Sequence, residues 1–125
     1  MNDTALDCPF CRSNGLLKGV VIAQTAHTYL LENRSEAGDY LIIPETHTES
    51  LMALPDTWWA DVKELLMRIP KLAPSYNLSL NIGKLAGQSV KHVHLWIVPR
   101  YAGQPASGKG LTRLIAENNQ QVERS

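Results

Sequence analysis

The chain has no charge of either sign to spare: its 12 Lys and Arg residues are matched by 12 Asp and Glu residues. That balance excludes the broad basic surface that gathers nucleic acid, so any recognition of phosphate has to be local. Long apolar runs are missing too. None approaches the roughly 18–20 residues of a membrane span, and Met1-Asn2-Asp3-Thr4 lacks the basic-then-apolar pattern of a signal peptide, so a cytoplasmic protein with no membrane partner is expected. Cysteine is scarce, with two residues, Cys8 and Cys11, which rules out a disulfide-rich scaffold. What is present is enough aliphatic material, within 44% hydrophobic residues, to build one core in a chain of 125 residues.

Apolar periodicity divides the chain into short elements. Gly19 to Gln24 and His27 to Leu31 read as a β-hairpin, Asn33 to Gly38 as a turn, and Tyr40 to Ile43 as a third strand stopped by Pro44. After Pro55-Asp56, residues Trp59, Val62, Leu65, Leu66 and Ile69 recur at helical steps, so an amphipathic helix is expected up to Pro70. This places Trp59 in the core and Trp58 at a partly exposed or subunit-contact position. Leu78 to Ile82 and His92 to Val98 alternate as two further strands, and a short helix is expected from Leu111 to about Asn119. The fold class is α+β: an antiparallel sheet of about five strands, one main helix and a short C-terminal helix. A single domain over 1–125 is expected, with its core at about 8–104 and a tail at 105–125.

The most informative segment is His92-Val93-His94-Leu95-Trp96, because strand alternation sends His92, His94 and Trp96 to one face. Taken alone, it is equally a strand showing two polar side chains to solvent. The preceding Gly83-Lys84-Leu85-Ala86-Gly87-Gln88-Ser89 changes that balance: its backbone N–H groups and the Ser89 hydroxyl are suited to a phosphate placed before His94. His27 fits no pattern and receives no role. Gly103 to Gly110 nearly spells a P-loop, but Gly110 stands where Ser or Thr must bind magnesium, and too little chain follows for the necessary sheet. Lys109 and Arg113 remain candidates to reach a substrate phosphate from that tail.

Together, Asn81, Gly87-Gln88-Ser89-Val90, His92-x-His94, Pro99-Arg100 and Gly38-Asp39-Tyr40-Leu41-Ile42-Ile43-Pro44-Glu45-Thr46-His47 resemble the histidine triad family of nucleotide hydrolases and transferases, over roughly residues 8 to 104. The resemblance implies a HIT-like fold with His94 as nucleophile. It further implies phosphate contacts from Asn81, Gly87, Gln88 and Ser89, and a ribose contact from Asn33. The expected substrate is a purine nucleotide or dinucleoside polyphosphate, attacked at its α-phosphate to give a nucleotidyl-histidine, and a homodimer is the family habit. This chain departs from the family pattern at the third histidine, which is Trp96. An indole N–H does not titrate near neutral pH, so general-acid help to the leaving group is lost and phosphoanhydrides are favoured over phosphoramidates. The alternative is a catalytically weak nucleotide-binding or regulatory zinc protein of the same fold.

Cys8-Pro9-Phe10-Cys11 also resembles a glutaredoxin active site, but such a site needs a buried strand before it and a helix after it. Met1 to Asp7 is too short and polar for the first, and Arg12-Ser13-Asn14-Gly15 favours a turn over the second. Two idle thiols are the plain alternative. Cys8, Cys11, His47 and His92 would complete a tetrahedral Cys₂His₂ zinc site, similar to the one found in a branch of the same superfamily. Four protein ligands leave no open position, so that zinc would be structural.

Overall fold

The structure is a computed structural model that describes residues 6–33 and 40–119. Most of the turn expected over 33–38, Gly38-Asp39 of the upstream motif and the end of the tail lie outside these residues. The elements run β1 (Val20–Gln24), β2 (Thr28–Glu32), β3 (Tyr40–Pro44), α1 (Thr57–Leu66), β4 (Tyr76–Leu80), β5 (Leu95–Pro99) and α2 (Leu111–Asn118). The five strands form one antiparallel sheet in the order β1-β2-β3-β5-β4, which leaves β1 and β4 as its edges.

Each face of the sheet carries its own apolar cluster, as period-two alternation requires. Leu30, Ile42, Leu95 and Ile97 point to one face, where α1 lays Trp58, Val62, Leu65 and the following Ile69 upon them. Burying each of these large side chains stabilises the fold by about 1.5–3 kcal/mol. Tyr29, Leu31, Leu41 and Ile43 point to the other face and are covered by Phe10, Leu17, Val21 and Trp96. The N-terminal knuckle is thus packed on the sheet face opposite the helix. Its entry into β1 depends on Gly19, at φ +98°, where a Cβ would stand 2.6 Å from the Glu32 carbonyl oxygen.

The structure departs from the sequence expectation at three points. Trp58 is the core tryptophan, 2% exposed, while Trp59 is 52% exposed; the helix begins at Thr57, and its inward stripe follows Trp58, Val62, Leu65 and Ile69, leaving Trp59 one step off it. The fourth strand is Tyr76–Leu80, two residues earlier than the alternation suggested, because its register is set by pairing of Leu78 with Ile97 and Leu80 with Leu95. The last strand starts at Leu95, so His92 and His94 lie in the irregular approach to it.

Candidate active site and metal centre

Both histidines are buried, His92 completely and His94 to 4% exposure, which removes the solvent-facing reading. A buried imidazole needs partners for its nitrogens. His94 Nδ1 donates to the His92 carbonyl at 2.8 Å, which leaves Nε2 as the unprotonated nitrogen. Burial lowers the pKa of His94 below the ordinary histidine value, so the ring is neutral at pH 7. Phe10 lies 4.8 Å from the His94 ring and Trp96 lies 6.0 Å from it, the latter edge to face.

The turn before His94 is folded by its own hydrogen bonds. Gln88 N–H donates to the Gly83 carbonyl at 3.1 Å, and Gly83 N–H donates to Gln88 Oε1 at 2.8 Å. Among the described residues the Gln88 side-chain Nε2 is buried without a partner, a donor beside the turn. Gly87 has φ +97°, and its α-carbon lies against Asn81, whose Nδ2 would be 3.8 Å from a Cβ there. Asn81, Gly87, Gln88 and Ser89 are therefore brought to one place, and the last three line a hollow of about 790 Å³ together with Gly83, Lys84, Lys91 and Glu49. His94 is not part of its wall. Asn33 follows β2, whose Glu32 pairs with Tyr40, which pairs in turn with Ile97. It thus stands along the sheet from His94, on the side away from the turn.

Cys8, Cys11, His47 and His92 converge, their ligand atoms all within 4.8 Å of one another. Cys8 Sγ is 3.4 Å and Cys11 Sγ 3.5 Å from His92 Nδ1, and Cys11 Sγ is 3.2 Å from His47 Nδ1. A tetrahedral zinc with bonds of about 2.3 Å to sulfur and about 2.0 Å to nitrogen separates S from N by about 3.5 Å. The donor set and its spacing fit zinc. His92 Nε2 donates to the Pro44 carbonyl at 2.7 Å, fixing the tautomer that leaves Nδ1 free as a ligand. Burial, followed by the hydrogen bond and charge of Cys8, pushes the Cys11 thiol up to about 12, so that thiol ionises only against a compensating cation.

Sequence reading missed two residues. Phe10 sits between the two cysteines and rests on the His94 ring, joining the knuckle to His94. Tyr29, fully buried, donates its hydroxyl to the Phe10 carbonyl at 2.6 Å and ties the knuckle to β2. No spacing marked Tyr29, since one aromatic in a β-rich run is ordinary core material. Lys109 and Arg113 pair with Glu117, and Lys109 lines a separate hollow with Arg100 beyond the far end of β5, away from the turn. His27 is exposed in the turn before β2.

The HIT domain family profile matches residues 18–103. An uncharacterized HIT-like protein of Methanocaldococcus jannaschii is 35% identical over 104 residues, covering 77% of this chain and 81% of that protein. The adenosine 5'-monophosphoramidase of Schizosaccharomyces pombe is 33% identical over 100 residues, covering 76% and 75%. A zinc-bound histidine triad family protein from Mycobacterium smegmatis superposes with a TM-score of 0.68 at 29% identity, over 84% of this chain and 83% of that one. With the fold, the four-ligand cluster and these matches in agreement, the chain belongs to the HIT domain family.

Proposed function

We propose that the protein is a nucleotide phosphohydrolase or nucleotidyl transferase that attacks the α-phosphorus of a (di)nucleoside polyphosphate-type substrate with His94. The observation that carries this reading is the tautomer of His94, a buried neutral imidazole whose Nδ1–H is spent on the His92 carbonyl and whose Nε2 keeps its lone pair. As the Nε2–P bond forms, the ring becomes cationic and the His92 carbonyl stabilises the proton retained on Nδ1. The Gly87 to Ser89 turn, the Gln88 amide and Asn81 receive the charge that grows on the non-bridging oxygens. Asn33 is assigned to the ribose. Water or another acceptor then takes the nucleotidyl group, and Nε2 is regenerated.

Cys8, Cys11, His47 and His92 would hold a structural zinc, which supplies rigidity rather than an open coordination position. The residues around it transmit that rigidity: the His92 carbonyl orients His94, and Phe10 of the knuckle packs on its ring. A homodimer is also proposed. Leu78 pairs with Ile97 and so faces the α1 side, yet it is 48% exposed on the edge strand β4, and Tyr76 beside it is 40% exposed. Trp59 is likewise exposed, on α1.

The test is turnover of a panel of dinucleoside polyphosphates, nucleoside diphosphates and nucleoside phosphoramidates by the zinc-loaded protein and by His94→Ala. Turnover of at least one compound that His94→Ala abolishes is expected. Tight binding of nucleotides with no turnover of any would instead favour the regulatory alternative.

A further inference from the structure

The hollow at the phosphate turn is locally basic. Lys84 opens the helical turn that precedes Gly87, Lys91 follows Ser89, and both line the hollow with Gly87, Gln88 and Ser89. Both side chains are exposed, and among the described residues neither ammonium forms an ion pair. Glu49 lines the same hollow and, with Lys91, a smaller adjoining one next to His47. Two lysines and one glutamate leave a local excess of one positive charge in a chain whose formal charge is zero. The side of the site occupied by these lysines is also the side away from Asn33. In-line attack puts the leaving group opposite Nε2, and Lys84 and Lys91 line the end of the site that a nucleoside held at Asn33 leaves free.

We propose that Lys84 and Lys91 form a leaving-group subsite that selects substrates whose departing group carries further phosphates. This rests on the assignment of His94 as nucleophile. Nε2 bonds to the α-phosphorus, the P–O bond to the leaving phosphate breaks, and its electron pair stays on that oxygen. The two ammonium groups compensate the added negative charge, so departure needs no proton donor. Trp96, which has no titrating proton to give, is consistent with such a leaving group. Water then adds to phosphorus, releases a proton to solvent, and the P–N pair returns to Nε2.

The experiment compares kcat/KM for diadenosine tetraphosphate and adenosine 5′-phosphoramidate, which share an adenylyl group, in the zinc-loaded protein and in the Lys84→Ala/Lys91→Ala double variant. Exposed charge pairs supply up to about 5-fold each, so the tetraphosphate-to-phosphoramidate preference should fall by about 25-fold, and the loss should shrink in high salt. Lys84→Arg/Lys91→Arg, which keeps both charges, should restore most of the preference. An unchanged preference, or equal loss on both substrates, overturns the subsite. If the parent protein turns over neither compound, the nucleophile assignment fails. Binding of inorganic tripolyphosphate by calorimetry then decides the subsite separately: a roughly 25-fold weaker Kd in the alanine double variant supports it, and an unchanged Kd overturns it.

Discussion

Replacing Tyr29 with phenylalanine separates the knuckle's anchor from its packing. The ring that fills the sheet face against Leu31, Leu41 and Ile43 is kept, while the hydroxyl that donates to the Phe10 carbonyl at 2.6 Å is removed. Among the described residues that carbonyl has no other donor, and leaving such a group unsatisfied costs about 1–3 kcal/mol when fully buried. Phe10 is only half-buried, so the lower part of the range applies, about 1–2 kcal/mol. Phe10 lies between Cys8 and Cys11, and the lost bond loosens the segment that holds two of the four metal ligands. The free energy therefore appears as weaker zinc binding, by about 5- to 30-fold. Competition with a chromophoric chelator measures the affinity, and thermal unfolding of the zinc-loaded protein should show a parallel drop in Tm. Zinc affinity within two-fold of the parent and an unchanged Tm would refute the idea that Tyr29 anchors the knuckle.

Other perturbations follow from the same geometry. Trp96→His places a titrating group where the indole stands, its ring 6.0 Å from that of His94, and phosphoramidate turnover should rise by about 10²-fold with less than a 10-fold change for phosphoanhydrides, measured as kcat on paired substrates. Because burial lowers the pKa of His94, kcat/KM for an anhydride should stay level as pH falls through 6.5, with zinc content checked at each point; a decline centred on 6.5 would contradict the buried neutral ring. The same depressed pKa means that the unfolded chain takes up the proton first, so His94's contribution to stability is complete above 6.5 and is lost as pH drops toward the folded-state pKa. Leu78→Asp puts a charge on the exposed edge strand and should convert a dimer to monomer at micromolar concentration by light scattering; an unchanged mass would move the interface elsewhere.

Much of this architecture was legible in the sequence because alternation and turn residues mark short antiparallel strands well. The hairpin, the third strand stopped at Pro44 and the helix after Pro55 are found within a few residues of their expected places. Errors arose where long-range pairing overrides local pattern. Tyr76 is in a strand because it faces Pro99, and His92-Val93-His94 is not, although its alternation is good. Instead, Val93 N–H reaches the Thr48 carbonyl and His92 turns inward to Pro44. The Cys pair marked the metal site, and the resemblance to a zinc-binding branch of the family chose His47 and His92 from the four histidines. Tyr29 could not, because its part is played by a hydroxyl on a backbone carbonyl nineteen positions away in sequence.

The role of His94 as nucleophile is read from the intact mass of the zinc-loaded protein quenched during reaction with a dinucleoside polyphosphate. A species heavier by one nucleotidyl group is expected, absent from His94→Ala and discharged when the remaining substrate is removed. Turnover without that adduct at any time point, or an adduct of the same mass retained in His94→Ala, would contradict it.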